Sequence, residues 1–171
     1  TLAPPVNAAI TGASSLCPSG TTTYTAPAGM AAYQWSVTGG TIVGAADGPS
    51  VTVRAGSACG STMAVSLSVR TATGCNGSST SNVAVQDTKA PVFQGVGGAL
   101  SIECPATPVF SEPTATDECG GAVMITFRDV RTAGRCAQEY VLTRTWTATD
   151  PCGNAATASQ FRTRSSTAAL V

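Results

Sequence analysis

The chain has 171 residues, and its nine basic and nine acidic residues give a formal net charge of zero. Nucleic acids and anionic membranes bind basic surfaces, so this balance argues against both as partners. There is no histidine, which excludes Ser-His-Asp and Cys-His catalysis and zinc sites with histidine ligands.

The first half of the chain reads as a series of short antiparallel strands, and helical periodicity is absent. Apolar residues alternate with polar or small ones along 33–37 and 63–69, and a period of two with one apolar face is typical of half-buried strands. Trp35 lies in the middle of such a face, so we expect it in the core rather than stacked on a ligand. We predict strands near 6–10, 21–26, 32–38, 41–45, 50–55, 62–72 and 80–86.

The second half repeats this pattern. Trp146 shares an apolar face with Tyr140 and Leu142, which Arg144 interrupts, and we expect Trp146 in the core as well. Short strands separated by Gly, Pro and Asn turns are typical of β-sandwiches. The predicted fold is therefore all-β, with two tandem immunoglobulin-like sandwiches. We predict strands near 92–96, 99–104, 108–116, 122–132, 138–149 and 155–165.

A proline-containing linker at 86–91 separates the two halves, which gives predicted domains 1–86 and 87–171. The first residues, 1–6, resemble 88–93, so the chain is expected to start at a junction of a longer array or of a processed subunit. We recognise no signal peptide and no apolar run long enough to insert in a membrane, so we expect a mature or excised extracellular sequence.

An internal repeat is the clearest motif: residues 114–121 (TATDECGG) return as 147–154 (TATDPCGN). Each copy places an aspartate and a cysteine in a glycine-containing turn. Asp117 and Asp150 are expected to cap these turns by accepting hydrogen bonds from backbone amides. The alternative is a calcium site, the one cofactor that these carboxylates would suit, although no dense run of acidic residues is present. Further candidate ligands are Asp87, Glu103 and Glu118.

Catalysis is not expected. Glycoside hydrolysis needs two facing carboxyl groups, and the only pairs worth naming are Asp117 with Asp150 and Glu103 with Glu139. Acidic residues are few, and no cleft rich in aromatic residues is evident. We therefore predict that the protein is not an enzyme.

Seven cysteines without a C-x-x-C pair indicate disulfides formed in an oxidising compartment. In the second half, strand direction places Cys104 and Cys136 at one end of the module and Cys119 and Cys152 at the other. The predicted bonds are Cys104–Cys136 and Cys119–Cys152, each closing a loop of about thirty residues worth roughly 3–4 kcal/mol in the chain-entropy model.

The first half has three cysteines, so at least one is left over. Cys17 and Cys59 precede strands that would run in the same direction, and we favour a Cys17–Cys59 bond. Cys17–Cys75 is the alternative. In the favoured pairing Cys75 is a free thiol or a link to another chain.

The second half resembles the HYR-like repeats of large surface proteins from Bacteroidetes-type bacteria, and the first half resembles the PKD-like, immunoglobulin-like repeats of the same kind of protein. The first resemblance rests on residues 87–93, 102–104, 114–120, 131–136 and 140–154, and the second on residues 16–20, Tyr24, 33–37, Gly39-Gly40 and 72–77.

This resemblance implies adhesive stalks and spacers on exported, cell-surface proteins. We expect a subunit of an extracellular filament or a segment of a tandem-repeat adhesin. The apolar stretches 6–10 and 168–171 could each join the sheet edge of a neighbouring copy. The alternative function is a pair of carbohydrate-binding modules that recognise surface glycans, which would require exposed aromatic rings.

Overall fold

The computed structural model describes residues 5–135 and 138–165. The chain divides into two compact units, Thr1–Asp87 and Thr88–Val171, which we call unit 1 and unit 2. Every regular element of the described residues is a β-strand, which confirms the all-β prediction.

Unit 1 is a sandwich of a four-stranded and a three-stranded sheet. In the first sheet the strand order is β1-β7-β6-β3, and in the second it is β2-β5-β4. All neighbouring strands are antiparallel except β1 and β7, which run parallel. The strands are β1 (Ser15–Leu16), β2 (Thr21–Thr25), β3 (Ala32–Thr38), β4 (Gly40–Val43), β5 (Ser50–Ala55), β6 (Ser61–Arg70) and β7 (Asn76–Val85).

The core of unit 1 follows from the alternation of its strands. Tyr24 is fully buried and its hydroxyl donates to the carbonyl oxygen of Ala13 at 2.7 Å. Trp35 is 4% exposed, and its indole N–H donates to the carbonyl oxygen of Gly48 at 2.9 Å. Both aromatic residues therefore bury their rings without leaving a polar atom unpaired.

The strand predicted at 6–10 is wrong. Ala8 is buried, and Val6 and Ile10 pack against the same core, so the apolar alternation has the predicted burial. The segment forms no ladder, and the first bridge to a strand is at Thr11, which pairs with Thr25. Alternation records which residues are buried, whereas a strand also needs a partner for its backbone groups.

Unit 2 has one four-stranded sheet, ordered β11-β12-β13-β9, and one two-stranded sheet, β10-β8. The central strands β12 and β13 are antiparallel, and β9 runs parallel to β13. The strands are β8 (Val92–Gln94), β9 (Leu100–Glu103), β10 (Thr114–Thr116), β11 (Met124–Ala133), β12 (Tyr140–Thr149) and β13 (Ala155–Ser165).

The strand predicted at 108–116 is shortened to β10, and residues 108–113 lie outside any strand. Pro108 and Pro113 bracket this segment, and neither can donate a ladder hydrogen bond. The segment still packs on the sheet, because the Phe110 and Trp146 rings meet edge to face with centroids 6.2 Å apart.

The four-stranded sheets of the two units have the same strand order. The parallel pair β1 and β7 of unit 1 corresponds to β9 and β13 of unit 2, and β3 and β6 correspond to β11 and β12. Along the chain of unit 1, strands β4 and β5 come between β3 and β6. In unit 2 only the segment 134–139 connects β11 to β12. Among the residues that the structure describes, unit 2 therefore has no counterpart of β4 and β5 to cover the inner face of β11.

Candidate functional site

The repeated turns of unit 2 have the same internal geometry. In each turn the aspartate Oδ1 accepts a hydrogen bond from the backbone N–H of the cysteine, Asp117 from Cys119 and Asp150 from Cys152, both at 2.8 Å. The following glycine donates its N–H to the aspartate carbonyl oxygen, at 3.1 and 3.2 Å, and has a positive φ. Both carboxylates therefore close their turns in the way expected of Asp.

Asp150 is held by further donors. Its Oδ1 also accepts from the N–H of Asn154 at 2.9 Å, and its Oδ2 accepts from Nδ2 of Asn154 at 2.8 Å. Burial opposes ionisation, but the hydrogen bonds from Asn154, Cys152 and Gly153 outweigh it and hold the pKa of Asp150 below its ordinary value. Protein donors thus occupy both oxygens of this carboxylate. A calcium role for Asp117 and Asp150 stays a prediction.

The two turns lie beside each other. A Cβ added at Gly121 would stand 3.2 Å from Cγ of Pro151, so the residues flanking the two cysteines are neighbours. Cys119 and Cys152 are both disulfide-bonded, and from this neighbourhood we infer the Cys119–Cys152 bond.

The bonded cysteines of unit 1 are Cys17 and Cys59. Cys17 follows β1 and Cys59 precedes β6, and both strands border the end of β7. There the Gln86 N–H donates to the carbonyl oxygen of Leu16 at 2.9 Å, and the Gly60 N–H donates to that of Val85 at 2.8 Å. From this arrangement we infer the Cys17–Cys59 bond.

The remaining described cysteines are free thiols. Cys75 is exposed in the turn between β6 and β7. Cys104 is a half-buried free thiol beside the Arg164 guanidinium, whose pKa is raised by Tyr140 and by this thiol. A free Cys104 differs from the predicted Cys104–Cys136 bond, and Cys136 lies outside the described residues.

An arginine and an aspartate lie among aromatic rings on the inner face of β11 and β12. Arg144 forms two hydrogen bonds of 2.7 Å with the Asp129 carboxylate. The guanidinium carbon lies 3.9 Å from the Phe127 ring centroid and 4.5 Å from that of Phe110. The hydrogen bond from Arg144 holds the pKa of Asp129 below its usual range, and burial opposes this only in part. Arg144 thus continues the packed face that it interrupts in the sequence.

Two more arginines flank the Tyr140 ring on this face. The guanidinium carbons of Arg131 and Arg164 lie 4.2 and 5.7 Å from its centroid. Sequence reasoning missed these contacts and the Asp129–Arg144 pair. The Asp129–Arg144 pair can be recognised only when the β11–β12 register is known, because that register places Asp129 opposite Arg144.

β11 lies at the edge of its sheet, with β12 as its pairing strand. It has ten residues, and its apolar side chains are unusually accessible: Met124 is 64% exposed, Phe127 60% and Val130 48%. A long edge with exposed apolar residues is a template for pairing with another chain. This edge is the candidate functional surface of unit 2.

Unit 1 has a cleft of about 770 Å³ whose lining includes Tyr33, Asp47, Arg70 and Asn76. The Tyr33 hydroxyl donates to the carbonyl oxygen of Pro27 at 3.0 Å, so this polar atom is already bound within the protein. Trp35 and Trp146 are 4% and 3% exposed, and neither indole is available as a platform for a sugar.

The other acidic candidates do not all lie at one place. Glu103 is the last residue of β9, and Glu139 comes directly before β12. In the sheet, β13 lies between β9 and β12. Glu118 forms an ion pair with Lys89 in which both side chains are largely exposed. Asp87 is the last residue of unit 1. Within residues 5–135 and 138–165, no helix has the length and apolar character needed to cross a membrane.

Two family models match the chain. A model described as a PKD-like domain matches residues 3–85, and one described as an HYR-like domain with 4 cysteines matches residues 96–163. No curated protein matches the chain.

Solved structures with a similar arrangement of strands include titin domains Z1Z2 in complex with telethonin, at 14% identity and a TM-score of 0.45, covering 96% of this chain and 99% of that chain. The tandem Ig repeats of Dlar match at 12% identity and a TM-score of 0.31, covering 94% and 98%. Extracellular cadherin domains 3–6 of protocadherin gamma B2 match at 10% identity and a TM-score of 0.34, covering 91% of this chain. The chain spans about half the length of that protocadherin structure (49%).

Proposed function

We propose that this chain, which carries a PKD-like domain followed by an HYR-like domain, is a non-catalytic structural or adhesive part of an extracellular protein and associates with copies of itself. Ig-like and cadherin-like repeats are typical of extracellular adhesion and structural proteins. The observation that carries the proposal is the ten-residue edge strand β11, with Met124, Phe127 and Val130 largely exposed. Such an edge is well suited to strand addition.

The use of the acidic side chains supports a role without catalysis. Asp117 and Asp150 cap turns, Asp129 is paired with Arg144, and Glu118 is paired with Lys89. The hydrogen bonds to Asp129 and Asp150 hold the pKa of both carboxyl groups below its ordinary value, whereas a general acid needs a raised pKa.

The disulfide-bonded cysteines support an oxidising location. We propose the cell surface of a Bacteroidetes-type bacterium, with the chain as a filament subunit or as a segment of a tandem-repeat adhesin. Cys75 is exposed on a turn, which would allow a disulfide between chains.

Electron microscopy of native material, first in negative stain and then frozen, tests this function. A filament whose repeat accommodates one 171-residue chain would establish a polymer subunit, and separate rods of two beads would establish a stalk segment. Wild type and Cys75→Ser should be compared with and without reductant. Filaments lost on reduction of the wild type and absent from Cys75→Ser would assign the inter-chain link to Cys75. Monodisperse single particles at every concentration would contradict self-association.

The alternative, carbohydrate binding, would use the cleft of unit 1 beside Tyr33, Asp47 and Arg70. The buried positions of Trp35 and Trp146 count against it. A glycan array with wild type and Tyr33→Ala tests it. Binding that is lost in the variant would replace self-association as the main function, and an array without signal would eliminate the alternative.

A further inference from the structure

We propose that β11 pairs antiparallel with β11 of a second copy of this chain about a two-fold axis at Val130, which joins two four-stranded sheets into one of eight strands. This inference rests on the proposed self-association and names its interface. On the described residues β11 pairs only with β12, so its other edge has backbone donors and acceptors available for a second strand.

The charges of β11 select the register. In a two-fold antiparallel pair, the residue on the axis faces itself, and residues on either side face each other in order. With Val130 on the axis, Asp129 of each copy faces Arg131 of the other, so two ion pairs form. An axis at Arg128, Asp129 or Arg131 would instead place that charge opposite an identical one, which is destabilising.

Asp129 and Arg131 both lie on the inner face of β11, where existing contacts hold their side chains. Asp129 is held on one side by Arg144 of β12 through two hydrogen bonds of 2.7 Å, and its side chain stays 33% exposed. Arg131 of the second copy would approach from the open side, so the carboxylate would lie between two guanidinium groups. Arg131 is exposed and stacks on the Tyr140 ring at 4.2 Å, which limits the freedom that the new contact must restrict.

The outer face supplies apolar contact at the same register. Val130 is aligned with Thr143 of β12, and Thr143 with Phe161 of β13. Val130 and Phe161 are 48% and 47% exposed. Pairing at Val130 would join the rows of the two copies, so that six side chains lie side by side across the new sheet. The two valines would then be removed from water. On the inner face, exposed Phe127 would face the small residue Ala133.

Sedimentation equilibrium of the full chain tests the charges, with Cys75→Ser as the common background. Arg131→Glu would place a glutamate opposite Asp129 twice, and we expect the dimer Kd to rise roughly tenfold or more. Arg128→Glu is the matched control, because it makes the same charge change on the same strand but faces Thr132. Its Kd should stay close to that of the background, and equal effects of both variants would overturn the register.

Cysteine cross-linking tests the axis independently of charge. In the same background, Val130→Cys would face itself, and mild oxidation should give a dimer linked between the two introduced cysteines, identified by peptide mass spectrometry. Thr132→Cys lies on the same face but would face Arg128, so it should not link to itself. Linkage at 132 and not at 130 would overturn the proposed register.

The outcomes separate this inference from the function on which it rests. The wild type could form filaments or dimers while Arg131→Glu assembles equally well and Val130→Cys gives no cross-link. That result would overturn the β11 pairing and leave self-association in place. A wild type that stays monomeric at millimolar concentration would overturn both.

Discussion

Asp150 shows at the scale of a single residue how a turn aspartate is used. Its carboxylate accepts hydrogen bonds from Cys152 and from both the backbone and the side chain of Asn154. These bonds are stronger to the ionised carboxylate, so protonation should loosen the second repeated turn.

The first prediction concerns the pH dependence of Asp150→Asn. An unfolded aspartate titrates near pH 3.9, and the folded pKa of Asp150 is lower. The stabilisation is therefore fully present above pH 4 and is lost as the pH falls through the folded pKa. Asp150→Asn should be less stable than the wild type at pH 7, with a difference that shrinks below pH 4.

Thermal unfolding monitored between pH 2 and pH 7 measures this effect. Glu112→Gln, an exposed carboxylate of the same unit, should behave like the wild type across the range. A difference between Asp150→Asn and the wild type that does not depend on pH would show that the charge of Asp150 is unimportant.

The second prediction concerns Gly12, which lies against the buried Tyr24 ring. A Cβ at position 12 would overlap Cδ1 and Cε1 of that ring, and the ring cannot move because Tyr24 is fully buried and bonded to Ala13. Gly12→Ala should destabilise unit 1 by about 1–3 kcal/mol, as overpacked cores are. Chemical denaturation measures it.

Gly48→Ala is the matched control, because a Cβ at position 48 meets only the Ser50 carbonyl oxygen, at 3.9 Å. Its stability should stay within about 0.5 kcal/mol of the wild type. Equal stability of Gly12→Ala and the control would mean that the N-terminal segment rearranges away from Tyr24.

At the scale of elements, side chains of β13 hold irregular segments of unit 2 against the sheet. Gln160 on β13 is buried, and its amide binds the Ser111 N–H at 3.0 Å and the Gly98 carbonyl oxygen at 3.2 Å. Arg162 is also buried and donates to the carbonyl oxygens of Val109 and Gly98 at 2.6 and 2.8 Å. The irregular segment beside β13 is therefore held by polar side chains in place of a ladder.

The third prediction concerns Cys104 and Cys136. Cys104 follows the end of β9, and Cys136 belongs to the segment 134–139 between β11 and β12. Tyr140, Arg164 and Ile102 are aligned across the sheet at that end. In an oxidising compartment we expect a Cys104–Cys136 bond, so that native protein has one reactive thiol, Cys75. Ellman titration in denaturant and peptide mass spectrometry measure this.

The Cys75→Ser variant should then have no reactive thiol. Three thiols in native wild type, at 75, 104 and 136, would contradict the bond and would leave Cys104 as the free thiol beside Arg164.

On the scale of the whole molecule, the two units have cores of different character. Twelve buried hydrophobic residues form the core cluster of unit 1. Among the described residues of unit 2, the buried hydrophobic ones are Trp146 and Ala148, joined by the polar or charged Asp150, Gln160 and Arg162. Burial of apolar surface is the main favourable contribution to folding, so unit 1 should be the more stable.

The fourth prediction tests this difference with one tryptophan in each unit. In Trp35→Phe the fluorescence reports on Trp146 and unit 2, and in Trp146→Phe it reports on Trp35 and unit 1. The transition seen through Trp146 should have the lower denaturant midpoint, because unit 2 buries less apolar surface. Coincident midpoints, or the reverse order, would contradict the prediction.

Much of the fold was predictable from local pattern. Alternation identified strands β3, β6, β11 and β12 and placed Trp35 and Trp146 in cores, because side chains of a strand alternate between faces. Turn chemistry predicted the capping role of Asp117 and Asp150. These features depend on residues close together in the chain.

Other features depend on which strands become neighbours. The strand predicted at 6–10 is absent because its residues pack on the core without a ladder partner. Arg144 interrupts the apolar face in the sequence, and its partner Asp129 lies opposite it only in the paired sheet. The exposure of Phe127 on the inner face of β11 depends on sheet order, because no described strand of unit 2 takes the place of β4 and β5.

The all-β class, the apolar faces and the chemistry of the repeated turns follow from local sequence, since they depend on backbone geometry and short-range hydrogen bonding. Which edge is open, which charges meet and which cysteines lie together become known only from the folded structure. Those outcomes depend on sheet order and register, which are set by the simultaneous burial of residues distant in the chain.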